Sequence, residues 1–362
     1  MNVMKRKKSR HKETSLIFSF LAIVILFFFG KTNDLLVIVL VNIISLIAIL
    51  FSAFSVVRHA DVLAHRLGEP YGSLVLSLSV VILEVSLISA LMATGGAAPE
   101  LMRDTLYSVI MIVITGLVGI SLLLGGYWFA TQYVNLVGIK QYLIAIIPLA
   151  MLVLVFPSTL PEENFSVVQV IIFAAVSAIM YGVFLVIQTH THKDLFIYEY
   201  DMDNASQHDI TSKYSTTSHG IWLVIHLIAV ITVTKMNAIT LESLLTVLNA
   251  PKQITGFLIA LLILSPEGVG AIKAVLLNQV QRAMNIFFGS VLATISLTVP
   301  VVAIISLITG QTIIFGLDVP HIMILSTALL LSHISFSSGR TNVLNGASLL
   351  AIFVGYLVTL SL

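Results

Sequence analysis

Long apolar stretches with almost no charged residue recur along the whole chain. A helix needs about 20 mainly apolar residues to cross the hydrocarbon core of a bilayer. Eleven stretches meet or approach that length, at residues 15–30, 35–57, 73–93, 106–126, 141–157, 165–188, 220–235, 254–277, 286–309, 320–337 and 343–362. This pattern predicts an all-α integral membrane protein with eleven transmembrane helices.

The amino-acid composition favours a lipid-facing surface. Hydrophobic residues make up 58% of the 362 positions and charged residues only 10%, whereas a soluble domain carries about 25% charged residues. The mean hydropathy of +1.06 agrees. The absence of cysteine excludes disulfides, thiol catalysis and cysteine-ligated metal centres. We expect membrane lipid as a partner and no nucleic acid, and the sequence carries no indication of the oligomeric state.

The positive charges predict how the chain is oriented in the membrane. Six basic residues lie within the first twelve positions, and the apolar run that follows ends without a small-residue cleavage pattern. We therefore interpret that run as a retained first helix rather than a signal peptide. With the N-terminus in the cytoplasm, fourteen of the 18 Lys and Arg lie on the cytoplasmic side, the others being Lys31, Arg103, Lys235 and Lys252. This bias favours that orientation, because positive loops stay cytoplasmic.

Two segments share the same order of residues: a glycine, a glutamate near the middle of a span, and an arginine before the next span. They are Gly72, Glu84 and Arg103 in the first segment and Gly256, Glu267 and Arg282 in the second. Five spans separate corresponding points, so the second copy crosses the membrane in the opposite direction. Inverted repeats of this kind are common in secondary transporters, whose substrate site lies at the midplane.

The longest polar loop divides the predicted spans into a six-helix part and a five-helix part. The chain divides into a basic tail and first helix (1–30), a first repeat (31–188), a polar cytoplasmic loop (189–219) and a second repeat (220–362). Within that loop, Asp201 and Asp203 resemble the start of a calcium-binding loop but lack its later glycine and glutamate. We interpret the loop as solvated.

Glu84 and Glu267 are the candidate binding site for cations and protons. They are the acidic residues near the centre of a span, where a charge costs roughly 2.5 to 3.5 kcal/mol on insertion scales. A buried carboxylate pair should bind either protons or a cation, and competition for the same oxygens converts alternating access into antiport. The alternative is a structural glutamate that is protonated and hydrogen-bonded to a neighbouring helix.

Several nearby groups are candidates to support the pair. Pro266 leaves the carbonyl of Leu262 without its helical donor, and free carbonyls are good ligands for hard cations. Ser265 adds a hydroxyl, and Ser77 lies seven residues before Glu84 on the same helical face. In the seventh span, His226 is a candidate proton relay, with a packing histidine as the alternative.

The segments around both glutamates and the C-terminal tail resemble those of the calcium/cation antiporter superfamily, most closely its ChaA-type cation/proton antiporters. The matching segments are Leu-Gly-Glu-Pro-Tyr-Gly-Ser (67–73) with Glu-Val-Ser-Leu-Ile-Ser-Ala-Leu (84–91), Leu-Ser-Pro-Glu-Gly (264–268) with Met-Asn-Ile-Phe-Phe-Gly-Ser (284–290), and Ser-Gly-Arg-Thr-Asn-Val-Leu-Asn-Gly (338–346). The resemblance implies a fold of eleven helices, with one leading helix plus two inverted five-helix repeats. It also implies one essential glutamate per repeat, at Glu84 and Glu267. Many members carry Gly-Asn four and three residues before each glutamate, where this chain has Val80-Val81 and Ile263-Leu264.

The resemblance further implies a secondary transporter in the bacterial inner membrane that exchanges cytoplasmic cations (Ca2+, Na+, K+) for protons. It implies no enzyme activity and no cofactor besides the transported ions. The missing asparagines fit broad exchange of these cations rather than strict calcium selectivity. A cation channel that uses the same glutamates is the main alternative. An intramembrane enzyme ranks lower, because no span carries a serine–lysine or serine–histidine dyad at its middle.

Overall fold

The computed structural model describes residues 13–32, 34–67, 78–86, 88, 99–160, 166–196, 215–310 and 314–360. The described residues form eleven helices and one pair of two-residue strands. They are α1 (Ser15–Phe29), α2 (Leu35–Leu67), α3 (78–86), α4 (Leu101–Phe129), β1 (Gln132–Tyr133), α5 (Leu136–Thr159), α6 (Val167–Thr191), α7 (Thr216–Val247), α8 (Lys252–Leu276), α9 (Val280–Thr309), α10 (Val319–Ser335), β2 (Arg340–Thr341) and α11 (Val343–Thr359).

The helices are apolar on the outside as well as in the core. Seven are long and apolar enough to cross a membrane, and α1, α10 and α11 are shorter apolar helices. Large hydrophobic side chains such as Phe20, Ile179 and Leu330 are more than half exposed, which a soluble protein tolerates only in small patches. The predicted fold class, an all-α membrane protein with eleven helices, is confirmed.

Two helices extend well beyond their predicted spans. α2 continues from residue 57 to Leu67, and α7 runs from Thr216 to Val247 instead of 220–235. The predicted spans end where polar residues begin. The helices continue further, because their backbone hydrogen bonds are made within the helix and their polar side chains find partners. In α2 the extension carries Arg58 and His59, which bond other side chains, and Asp61, which interacts electrostatically with Arg282.

The packing of the helices follows the predicted repeat. In an inverted pair of five-helix repeats, α4 corresponds to α9 and α6 to α11. α4 packs along α11, and in the same way α9 packs along α6. α4 also packs on α8, while α9 contacts α3 through a side-chain hydrogen bond. These two contacts of the first repeat with the second thus have counterparts with the roles exchanged.

The bundle has two ends, which we name by the first helix. The N side is the end at which α1 begins, and the opposite side is the end at which α1 finishes. β1 and β2 pair at the N side in an antiparallel register of Gln132 with Thr341. α2 and α7, the leading helices of the two repeats, pack along each other, and α1 covers both.

Candidate cation site

Glu84 on α3 and Glu267 on α8 lie inside the bundle, with 0% and 9% of their surface exposed. They are close enough to interact electrostatically. α8 continues through Pro266 directly before Glu267. Gly268, directly after it, lets the π-helical segment of α4 approach, because a Cβ there would lie 3.2 Å from the side chain of Leu117. The structure thus brings both predicted site residues together in the interior.

The two carboxylates lie against one face of α9. Its hydroxyl-bearing residues Ser290, Thr294 and Thr298 follow one another at four-residue spacing, which places them on one side of a helix. The Oγ1 of Thr294 donates a hydrogen bond to Oε2 of Glu84 at 3.0 Å. Thr298 also approaches Glu84, and Ser290 approaches Glu267, without completing a hydrogen bond. Since four residues rise about 6 Å along a helix, Glu267 contacts α9 about one turn nearer the N side than Glu84.

Several buried oxygens at the site have no hydrogen-bond partner among the described residues. They are Oε1 of Glu84, Oε2 of Glu267, Oγ of Ser290 and Oγ1 of Thr298. Leaving a buried polar group unpaired costs about 1 to 3 kcal/mol, so such oxygens favour binding of a proton or a cation. A set made only of carboxylate and hydroxyl oxygens suits a hard cation, and a carboxylate oxygen can equally take a proton.

Polar residues lead to the pair from the N side. Asp61 on α2 interacts electrostatically with both Glu267 and Arg282, and Arg282 stands near the start of α9. Both Asp61 and Arg282 are exposed, whereas Glu267 is nearly buried and Glu84 fully buried. Exposure therefore decreases from Asp61 and Arg282 to Glu267 and then to Glu84.

The opposite side is closely packed over the described residues. Arg103 and Asp104 at the start of α4 are buried and ion-paired at 2.9 Å, and Arg103 donates to the carbonyl of Gly316 at 2.8 Å. Gly256 of α8 touches the same turn of α4, since a Cβ on it would lie 2.7 Å from the backbone of Asp104. Arg103 and Arg282 are the corresponding arginines of the two repeated segments, the first buried at the opposite side and the second exposed at the N side.

The proposed supporting residues that the structure describes make their contacts with other groups. Ser265 is half-buried and its hydroxyl bonds the carbonyl of Leu261, one turn back in α8. Leu262 is half-buried beside an apolar cavity between α2, α7 and α8. Ser77 lies outside the described residues. His226 sits near the N-side end of α7 and bonds Glu13, and among the described residues it contacts neither carboxylate.

The sequence interpretation did not identify Asp61 and the hydroxyls of α9. The spacing of Ser290, Thr294 and Thr298 was a usable signal, because three hydroxyls one turn apart form a polar stripe on an apolar helix. Asp61 lies in the part of α2 beyond the predicted span, which ended at residue 57. From the sequence, an acidic residue at that position is assigned to a loop. Its position near Glu267 depends on the packing of α2, which the sequence of α2 does not determine.

Comparison with known proteins places the chain in a family. The model of the sodium/calcium exchanger protein family matches residues 37–190 and 219–362. The sodium-potassium/proton antiporter ChaA of Escherichia coli is 66% identical over 362 residues, which is 99% of each chain. Among solved structures, native YfkE aligns with a TM-score of 0.71 at 17% identity, over 96% of this chain and 99% of its own.

A second solved structure, the H+/Ca2+ exchanger CAX, aligns with a TM-score of 0.66 at 15% identity, over 95% of this chain and 87% of its own. At these identities the two structures establish the fold, and the family match and the E. coli relative establish the membership. The chain belongs to the sodium/calcium exchanger protein family.

Proposed function

We propose that the protein exports Ca2+, Na+ and K+ from the cytoplasm in exchange for protons, with Glu84 and Glu267 as the shared binding groups. The observation that carries this proposal is the buried carboxylate pair, in which each glutamate has one oxygen without a partner among the described residues. A buried carboxylate is neutralised by a proton or by a cation. When both ions compete for the same oxygens, exposing the pair to one side and then the other moves them in opposite directions.

The choice of cations draws on the site and on the relatives. Carboxylate and hydroxyl oxygens suit hard cations, whether monovalent or divalent. ChaA of E. coli is named a sodium-potassium/proton antiporter, and CAX an H+/Ca2+ exchanger. The side chains four and three residues before each glutamate are apolar in this chain. These positions therefore add no side-chain ligand that would favour calcium over sodium or potassium.

The N side corresponds to the cytoplasm in this proposal, and the membrane to the bacterial inner membrane. The cluster of basic residues that precedes α1 supports this orientation. The route through Asp61 and Arg282 is then the cytoplasmic entrance. The packed end around Arg103 then faces outward, so the conformation described above is the one that loads cations from the cytoplasm.

The decisive experiment measures collapse of a proton gradient by added cations in everted membrane vesicles. Glu84→Gln and Glu267→Gln should each abolish the response to Na+, K+ and Ca2+, because glutamine keeps the shape but neither binds a proton nor carries charge. Glu242→Gln, at the far end of α7, is the matched control and should keep wild-type exchange. Wild-type rates in both site variants, at equal protein levels, would refute the assignment of the pair.

The same vesicles distinguish an exchanger from a channel. Competition between protons and cations predicts that the apparent cation affinity falls as the pH falls. A channel would pass cations at clamped voltage without changing the internal pH. Cation flux that leaves the internal pH constant would therefore favour a channel built on the same glutamates.

A further inference from the structure

A second cluster of titratable side chains lies at the N side, apart from the carboxylate pair. Oε2 of Glu13, just before α1, lies 3.1 Å from Nε2 of His226 on α7 and 3.4 Å from Nε2 of His59 on α2. The three ligand-type atoms lie within 4.8 Å of one another. Arg58 completes the cluster with an ion pair to Glu13 at 2.6 Å. The cluster therefore joins the first helix to the leading helices of both repeats.

The cluster is buried and contains unused ligand atoms. His59 and His226 are 1% and 0% exposed. Within the described part of the chain, Oε1 of Glu13 and Nδ1 of His226 are buried without a hydrogen-bond partner. Burial raises the pKa of the Glu13 carboxyl, but Arg58 and the two histidines outweigh it and hold the pKa below its usual value.

The orientation of His59 is set by a neighbour. Its Nδ1 lies 2.8 Å from Nδ1 of His219, on the first turn of α7. A hydrogen bond to the far ring nitrogen is the usual way in which a metal-binding histidine is positioned, and it leaves Nε2 aimed at the ion. Two imidazoles and one carboxylate are a common ligand set for Zn2+ in proteins.

We propose that Glu13, His59 and His226 form a binding site for a transition-metal ion of the Zn2+ class, separate from the transport carboxylates. Nitrogen ligands distinguish this site from the all-oxygen site at Glu84 and Glu267, because imidazole prefers transition metals and hard cations prefer oxygen. A bound ion ties α1 to α2 and α7 at the N side. Arg58 opposes it, since its guanidinium occupies the same carboxylate; its side chain is 34% exposed and has room to turn outward.

The experiment titrates the purified, untagged, full-length protein in detergent with Zn2+ by calorimetry. Co2+ then serves as a spectroscopic probe of nitrogen ligands. Glu13→Gln and His226→Gln should each weaken Zn2+ binding by more than about 100-fold, because even changes outside the ligand shell cost about 10- to 100-fold. Arg58→Gln should instead tighten binding, because it removes the competing cation. The opposite signs distinguish a metal site from a general loss of structure.

Exposed histidines provide the control. His190 and His192 lie at the end of α6 on the same side of the bundle, and a variant with both changed to Gln should bind Zn2+ like the wild type. Loss of binding in that variant alone would assign the metal to surface histidines and overturn the proposal. Unchanged affinity in Glu13→Gln and His226→Gln, or unchanged or weaker affinity in Arg58→Gln, would do the same. Since Glu13 precedes α1, its variant also tests the site without altering a helix.

Discussion

Glu84 and Glu267 occupy equivalent positions of the two repeats but different surroundings. Glu84 is fully buried and accepts a hydrogen bond from Thr294, whereas Glu267 is 9% exposed and accepts no completed bond from Ser290. Glu267 also interacts with Asp61, which is exposed at the N side. We therefore infer that, in the proposed exchange, the two carboxylates are successive stations on one route, with Glu267 nearer to water.

This difference follows from the conformation of the bundle, which is closely packed at the opposite side and exposed at the N side. In a fully symmetric arrangement the two arginines would be equally buried, yet Arg103 is buried and Arg282 is exposed. Alternating access in inverted-repeat transporters exchanges the roles of the two repeats. In the other state we expect Glu84 to become the outer station, with the turn around Arg103 and Asp104 loosened.

The largest expected effect is a difference in chemical accessibility. The chain contains no cysteine, so Asp61→Cys and Glu84→Cys each introduce a single thiol. A membrane-impermeant thiol reagent applied at the N side should label the Asp61→Cys variant more than about 100-fold faster than the Glu84→Cys variant, since opening a packed site at a cost of about 3 kcal/mol reduces the rate by that factor. The labelling rate is read by mass spectrometry in oriented vesicles.

Controls for this experiment come from the same bundle. Ser108→Cys, buried near the opposite side, should stay unlabelled from the N side. Equal labelling rates in the Asp61→Cys and Glu84→Cys variants would mean that Glu84 is as open to the N side as the entrance at Asp61, and the decrease in access toward Glu84 proposed here would be wrong.

The sequence was sufficient to predict the fold and the central glutamate pair, but not the different surroundings of the two glutamates. Eleven apolar spans and two mid-span glutamates follow from patterns along the chain, because burial of charge and span length are local properties. The inequality of Glu84 and Glu267 follows instead from contacts between helices. Asp61 belongs to α2, Glu267 to α8 and Ser290 to α9, and no periodicity within one helix indicates which neighbour it faces. The site role of the two glutamates themselves stays a prediction until the variants are measured.

The next effect concerns the hydrogen bond at the deeper station. Thr294→Val removes the hydroxyl that donates to Glu84 while it keeps the shape of the side chain. Because a hydrogen bond to a charged group is worth about 1.5 to 3 kcal/mol, the cation affinity should fall about tenfold or more. The measurement is the cation concentration that gives half-maximal exchange. Thr294→Ser retains the hydroxyl and should stay near the wild type; an equal loss in both variants would attribute the effect to packing.

A smaller effect is expected at the entrance. Asp61→Asn removes a negative charge near Glu267, but exposed charge pairs contribute only about 0.2 to 1 kcal/mol. Half-maximal exchange should therefore need up to about fivefold more cation, with a larger change for Ca2+ than for Na+. The difference from the wild type should shrink as salt rises, because salt screens exposed charges. A loss that does not depend on salt would make Asp61 a direct ligand rather than an attracting charge.

The smallest effect, at Ser290, separates a ligand from a packing residue. Its hydroxyl is buried and unpaired among the described residues, so Ser290→Ala removes a desolvation penalty and should leave the melting temperature equal or slightly higher. As one weak oxygen among the six to eight that a cation takes, its loss should reduce the cation affinity about two- to threefold. The cation affinity should therefore fall without any fall in the melting temperature. If stability and affinity fell together, Ser290 would be holding α9 against α8, and Glu267 would owe its position to that contact rather than to the ion it binds.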